Sequence, residues 1–222
     1  MRKRQFVVLG LGIFGSSVAK TLSEYDCDVL AIDKDMSCVD RVAPYVTQCV
    51  QADMTNIDQL RHLDISSYDV AIVGTGSCLE STVLAIMNLK ELGVPYIVAK
   101  AKNKSYKQIF EKLGVDRVVR PEKEMGERVA KMMISQNVID LIEIDDDYSI
   151  VEIDVPASWY GKNLIELNVR TKYGMNVIGI REGENNLSFN INPGYLFKEG
   201  DNIMVIVETG HLDQFDVIDR LK

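Results

Sequence analysis

The sequence predicts an α/β protein in which a doubly wound parallel sheet of the Rossmann type precedes a small α+β domain. Three observations lead to this prediction. Short apolar runs alternate with helical patterns along residues 1–120, a glycine-rich turn follows the first run, and from about residue 148 apolar and polar residues alternate instead. The first two features are typical of parallel strands joined by crossover helices, and the third is typical of half-buried strands.

The strands of the first domain are predicted at its β-branched runs. These runs are apolar on both faces, as expected for parallel strands that helices cover on both sides. Their positions are 6–9, 29–32, 46–50, 70–73, 96–99 and 118–119. Because a helical pattern follows each of the first five runs, the carboxyl ends of these strands should meet at one edge of the sheet.

An amphipathic crossover helix is predicted at residues 122–139, where the sequence places Met125, Val129, Met132, Met133 and Ile139 near one face. Such a methionine-rich face belongs either to the protein core or to a surface exchanged between subunits. The predicted domains are therefore a Rossmann-type nucleotide-binding domain at 1–140, which includes this helix, and a C-terminal domain at 141–222. The acidic stretch 145–147 is interpreted as their junction, and strands are predicted at 149–155, 177–180 and 203–207.

Composition excludes several classes of protein. The chain has 222 residues and a net charge of −8, with 46% hydrophobic and 26% charged residues. No apolar run approaches the roughly 18–20 residues that span a bilayer, and the apolar stretch behind the basic N-terminus is too short for a signal peptide, so a cytoplasmic location is expected. A nucleic-acid partner is not expected, because phosphate binding needs clustered basic residues. Four dispersed cysteines and two histidines do not form a zinc-binding pattern.

The first motif with chemical meaning is a GxGxxG turn between the first strand and a helix, formed by Gly10, Leu11, Gly12, Ile13, Phe14 and Gly15. In a nucleotide-binding Rossmann fold, the first glycine permits the tight turn, the second lets a phosphate approach the backbone, and the third lets the helix lie close to the strand. The helix N-terminus then offers free N–H groups and a partial positive charge to the phosphates.

An acidic residue follows at the spacing expected for a ribose ligand. Asp33 ends the second predicted strand, 18 residues after Gly15. A carboxylate accepts hydrogen bonds from a ribose diol and repels a 2′-phosphate, which favours ATP, ADP, AMP or NAD over NADP. We assign the neighbouring Lys34 to the same site.

Further candidates lie at the ends of later strands. Asp53, with Met54 beside it, either accepts from the adenine amine or caps the helix that follows. Gly74 and Thr75 either line the nucleotide cleft or form a plain turn. Lys100 either meets a phosphate or is a solvated lysine at a strand end.

These motifs resemble the RCK (regulator of K⁺ conductance) proteins of the KtrA/TrkA type. The resemblance extends over essentially the whole chain and depends on segments 8–15, 31–33, 52–55, 98–101, 120–126 and 167–174. It implies a cytosolic gating subunit that binds ATP/ADP or NAD/NADH. It also implies dimers assembled as an octameric ring beneath a separate membrane subunit of a potassium channel or transporter.

The resemblance also implies roles for individual residues. Glu122 matches an acidic residue that reaches the nucleotide of a neighbouring subunit and a divalent cation there, although an acid is favoured in a first helical turn in any case. Ile13 departs from the pattern, because many members carry an arginine there that would contact the terminal phosphates of ATP. This departure puts discrimination between ATP and ADP in doubt.

The C-terminal domain of some members binds cyclic di-AMP at a dimer interface. The matching residues are Leu164, Ile165, Asn168, Arg170, Asn176 and Pro193. By the resemblance, Arg170 would hold a phosphate and the aliphatic residues would cover an adenine face. The alternative is an ordinary dimer-interface core with a surface arginine.

The competing function is an NAD-dependent oxidoreductase, which needs a substrate domain and a positioned acid or base. The C-terminal domain is too small for a typical substrate domain. Neither histidine is suitably placed, since His62 falls in a helical stretch and His211 begins the last predicted helix. A redox-sensing transcription regulator would need a basic DNA-reading element, which the sequence lacks.

Overall fold

The structure is a computed structural model that describes residues 3–76, 78–134, 138–145 and 147–208. The chain folds into two compact units, Met1–Lys123 and Glu124–Lys222. The predicted domain boundary lies later in the chain, after residue 140. The helix that contains residue 123 crosses the division, so its assignment to the first domain remains a prediction.

The first unit contains a six-stranded sheet in the order β3-β2-β1-β4-β5-β6. Every pair of neighbouring strands is parallel. The order reverses direction beside β1, so the first two crossovers lead to one side of this strand and the later ones to the other. The strands are β1 (Gln5–Leu9), β2 (Asp28–Asp33), β3 (Gln48–Gln51), β4 (Val70–Val73), β5 (Tyr96–Lys100) and β6 (Arg117–Val119). All six lie within two residues of the predicted runs, and the doubly wound fold is confirmed.

Helices cover both faces of this sheet, which is why its central strands are apolar throughout. One buried cluster includes Leu89 and Phe110, and the other includes Leu11 and Ala19. The helices of this unit are α1 (Ile13–Glu24), α2 (Met36–Val42), α3 (Ile57–His62), α4 (Leu79–Glu91) and α5 (Lys104–Lys112). A sixth helix, α6 (Pro121–Ile134), starts at the end of this unit and continues into the second.

The predicted crossover helix is too long at its C-terminal end. Helix α6 ends at Ile134, and the strand β7 (Val138–Glu143) follows. Ile139 therefore belongs to a strand and not to the methionine-rich helical face. The prediction failed because 138–143 pairs antiparallel with the next strand, and this hairpin pairing overrides the helical pattern.

The second unit contains a four-stranded sheet in the order β7-β8-β10-β9. The remaining strands are β8 (Tyr148–Asp154), β9 (Asn176–Arg181) and β10 (Asn202–Glu208), and two short helices are α7 (Leu164–Leu167) and α8 (Val169–Tyr173). All strand pairs are antiparallel, an arrangement in which half-buried strands with alternating residues are common. Trp159 and Phe197 lie in the core, with ring centroids 6.1 Å apart.

The acidic stretch 145–147 lies inside this second unit. The Asp145 carboxylate accepts hydrogen bonds from the amides of Asp147 (2.9 Å) and Tyr148 (2.7 Å) at the turn between β7 and β8. The Asp145 carboxylate therefore closes a turn between two strands, and the interpretation of this stretch as a domain junction stays a prediction.

Among the described helices, none combines the length and the apolar character needed to cross a bilayer. The predicted final helix and His211 lie outside the described residues.

Candidate functional site

The glycine turn brings the end of β1 against the start of α1. Gly10 has φ = +90°, and its amide donates to the carbonyl of Ile32 (2.8 Å). A Cβ on Gly15 would lie 1.9 Å from the carbonyl oxygen of Gly10, and a Cβ on Gly74 would lie 2.8 Å from the same atom. The turn is therefore closed on two sides by backbone, with the end of β4 directly beside it.

Gly12 differs from the other glycines of the motif. It occupies the N-cap of α1 without any side-chain cap, and a Cβ built on it would meet no atom within 4 Å. The first N–H groups of a helix have no partner within the helix. Ile13, the first residue of α1, is 91% exposed. The N-terminus of α1 therefore opens onto free space that suits an anionic group.

Asp33 lies at the carboxyl end of β2, beside this turn. Its Oδ2 accepts a hydrogen bond from the amide of Leu11 (2.6 Å), and its Oδ1 accepts one from the amide of Asp35 (2.9 Å). Each carboxylate oxygen can accept a second hydrogen bond. The side chain thus holds the glycine loop and keeps acceptor capacity for a hydroxyl group.

A cavity of about 170 Å³ lies at this edge of the sheet. Six of the predicted cofactor-binding residues line it, namely Gly10, Asp33, Lys34, Asp53, Met54 and Thr75. Sequence reasoning did not assign the other lining residues, which are Ile32, Ala52, Thr55, Cys78 and Ser81. Their positions at the carboxyl ends of strands, or at the start of the helix after β4, are the signal that would have found them.

Asp53 forms a local turn within this cavity. Its Oδ1 accepts from both the amide (2.9 Å) and the hydroxyl (2.7 Å) of Thr55. These hydrogen bonds from Thr55 lower the pKa of the Asp53 carboxyl. Helix α3 is capped instead by Asn56, which accepts from the amide of Asp58 (3.0 Å). Capping by Asp53 is therefore wrong, and its contact with adenine stays a prediction.

Lys100 and Glu122 form an ion pair that joins the end of β5 to the first turn of α6. Neither residue lines the cavity; both line a separate hollow with Gly76 and Lys102. The hydrogen bond from Lys100 lowers the pKa of the Glu122 carboxyl. The Lys100 ammonium also lies 5.8 Å from the centre of the Phe14 ring. Among the described residues, no three carboxylate, thiol or imidazole side chains converge as a metal site. The roles of Glu122 toward a neighbouring subunit's nucleotide and a divalent cation stay predictions.

A separate groove of about 390 Å³ lies in the second unit. Five of the six residues predicted to bind cyclic di-AMP line it: Leu164, Ile165, Asn168, Arg170 and Asn176. Pro193 is not among the lining residues. Asn168 adopts φ = +47° between α7 and α8, a conformation that asparagine tolerates better than most residues.

Sequence comparison identifies the family to which this pair of folds belongs. The profile of the TrkA-N domain matches residues 6–121, and that of the TrkA-C domain matches residues 148–218. The Ktr system potassium uptake protein A of Bacillus subtilis is 33% identical over 216 residues, 97% of either chain. The chain belongs to the TrkA-type RCK family. The Ktr system potassium uptake protein C of the same organism is 37% identical over 82% of either chain.

Solved structures show the same RCK fold. The GsuK RCK domain superposes on 97% of this chain with a TM-score of 0.64 at 15% identity. The GsuK channel bound to NAD superposes on 98% with a TM-score of 0.61 at 14% identity. This chain spans 47% and 40% of those two proteins. The likeness concerns the fold alone.

Proposed function

We propose that this chain is the cytosolic regulatory subunit of a Trk/Ktr-type potassium uptake system and binds an adenine nucleotide, ATP/ADP or NAD/NADH, in its N-terminal unit. The observation that carries the proposal is the convergence of Gly10, Asp33 and Asp53 on one cavity beside the open N-terminus of α1. Family membership supports the potassium uptake role, since the two Ktr relatives are named as potassium uptake proteins.

In this proposal the protein senses and does not catalyse. A nucleotide shifts the regulator between conformations only through its different affinity for each. The regulator would act on a separate membrane subunit, as a homodimer or an octameric ring at the inner face of the membrane. In a ring, the small differences in nucleotide binding free energy between the two conformations would add up over several sites.

Calorimetric titration of the purified chain with ATP, ADP, NAD and NADH tests the nucleotide proposal, with mass spectrometry of any retained ligand. We expect low-micromolar or tighter binding of at least one nucleotide. Absence of binding by all four would overturn the proposal.

The oxidoreductase alternative predicts a positioned acid or base at the cavity. His62 lies on α3, where its Nδ1 is 2.6 Å from the carbonyl oxygen of Asp58, and it does not line the cavity. Steady-state turnover of NADH with common oxo-acids distinguishes the two functions. Measurable turnover would favour the enzyme, whereas binding without turnover supports the sensor.

The groove of the second unit supports a second candidate ligand, cyclic di-AMP. Ile165, which is 71% exposed, and Arg170 both line this groove. An apolar surface together with a cation suits a ligand that carries a nucleobase and a phosphate. We expect Arg170→Met to weaken cyclic di-AMP binding at least tenfold while nucleotide binding in the first unit is unchanged. Equal binding by the variant and the wild type would remove this assignment.

A further inference from the structure

Arg41 was not among the residues assigned from the sequence, yet it reaches the glycine turn. It lies in the last turn of α2. Its Nη2 donates to the carbonyl oxygen of Leu11 (2.9 Å) and contacts Cys38 Sγ at 3.5 Å. The contact with Leu11 spans thirty positions of the sequence, so the turn is held by a separate helix and not only by its own residues.

The Leu11 carbonyl matters because of the peptide group to which it belongs. A peptide bond is planar and nearly always trans, so the Leu11 C=O and the Gly12 N–H point in opposite directions from one rigid plane. A side chain that fixes the direction of the Leu11 oxygen therefore also fixes the direction of the Gly12 N–H. That N–H stands at the N-cap of α1, where space is open for a phosphate.

The other peptide of Leu11 is fixed in the same manner. Its N–H donates to Asp33 Oδ2 (2.6 Å), which sets the orientation of the Gly10–Leu11 plane. The Leu11 side chain is fully buried in a cluster that includes Val42, the neighbour of Arg41 on α2. Glycine is the most permissive residue in backbone conformation, and with glycines on both sides of Leu11 these planes would otherwise rotate at little cost.

We propose that Arg41 is a positioning residue, which orients the Gly12 amide toward the phosphates of the bound nucleotide by holding the Leu11 carbonyl. The inference rests on the proposed nucleotide function and adds a residue that determines phosphate affinity. Arg41 acts through the loop, so its effect should appear only for ligands that carry phosphate.

The test compares Arg41→Met, which keeps the length of the side chain without its donors, with Arg41→Lys, which keeps a cationic donor. Arg61→Met is the matched control, because Arg61 also lies in the last turn of a helix but pairs with Asp58 and Glu91. Calorimetry measures the affinities of ADP, NAD and adenosine for each protein, and thermal unfolding verifies that each is folded.

We expect Arg41→Met to weaken the binding of ADP and NAD by about five- to tenfold, in the range of one ordinary hydrogen bond, because Arg41 acts on the loop and not on the ligand itself. Adenosine affinity should change less than about twofold, and Arg41→Lys should recover part of the loss. The ratio of the wild-type and Arg41→Met affinities should persist in about 0.5 M salt, which would screen a purely electrostatic effect.

Equal affinities of wild type and Arg41→Met for ADP would overturn the role of Arg41 alone. An equal loss for adenosine and ADP, or a ratio that vanishes at high salt, would also overturn it in favour of a general structural or electrostatic effect. Failure of the wild type to bind any nucleotide would instead overturn the proposed function together with this inference.

Discussion

The Asp33 carboxylate is hydrogen-bonded to the amide of Leu11, with 2.6 Å between Oδ2 and N. The residue predicted to read the ribose is thus also a structural support of the phosphate-binding turn. A substitution of Asp33 combines the two effects, and a ligand that lacks one hydroxyl separates them.

We expect Asp33→Ala to weaken the binding of ADP and NAD by about ten- to hundredfold, because it removes a charge-assisted hydrogen bond to the ligand and a contact that holds the loop. In the wild type, 2′-deoxy-ADP should bind more weakly than ADP, and in Asp33→Ala this difference should disappear. Asp69→Ala is the control, because Asp69 accepts from the amide of Gln5 (2.8 Å), at the start of β1, away from the glycine turn. If Asp33→Ala still binds 2′-deoxy-ADP more weakly than ADP, Asp33 does not contact that hydroxyl.

The second and third glycines of the motif should respond differently to substitution. We expect Gly12→Val to keep the wild-type melting temperature and lose nucleotide binding, because its side chain enters the open space where the phosphate would lie. Gly15→Ala should lower the melting temperature, because its Cβ would collide with the Gly10 carbonyl. Circular dichroism and calorimetry measure both properties. A folded Gly12→Val protein with unchanged affinity would overturn the phosphate site.

The glycine turn and the acidic residue of the nucleotide site could be predicted from local motifs. The spacing of Gly10, Gly15 and Asp33 is set by one strand–helix–strand unit, β1–α1–β2, so neighbouring parts of the sequence determine it. The roles of Asp53 and Arg41 depend on contacts that the spacing does not reveal. The Asp53 carboxylate already accepts a hydrogen bond from the hydroxyl of Thr55. Arg41 reaches the turn only because α2 packs beside α1.

Contacts that the sequence spacing does not reveal also explain what the fold prediction missed. The class and most strands of the first sheet follow from nearly continuous apolar runs, which are typical of parallel strands buried on both faces. Strand β7 was missed because its pattern is compatible with a helix until it is paired with β8. The turn at Asp145 was not predicted, because acidic residues are common both in linkers and in hairpin turns.

The Lys100–Glu122 pair should make stability depend weakly on pH. Because Lys100 lowers the pKa of Glu122 below its ordinary value of 4.5, the pair stabilises the fold above that value and loses its contribution as the pH falls through the lowered pKa. The effect should be small, since the Glu122 side chain is 69% exposed and solvent screens it. Glu122→Gln should therefore melt slightly below wild type at about pH 7, and the difference should shrink below about pH 4.5.

Lys100→Met provides the control for this pair. In that background Glu122→Gln should no longer change the melting temperature in a pH-dependent way, because the partner of the carboxylate is gone. A pH-dependent difference that persists without Lys100 would show that another group controls Glu122.

An exposed apolar stripe on α6 should mediate self-association. Met125, Val129 and Met133 recur at every fourth residue, so they share one helical face, and Met133 is 81% exposed. We expect the chain to form at least a dimer, and an octamer under some nucleotide conditions, with Met133→Lys shifting the population toward monomer.

Tyr25→Lys, at a residue 79% exposed in the first unit, is the matched control and should leave assembly unchanged. Light scattering with and without ATP, ADP or NADH measures both. A wild-type monomer in all four conditions would remove the mechanical basis of gating, while nucleotide binding would remain testable separately.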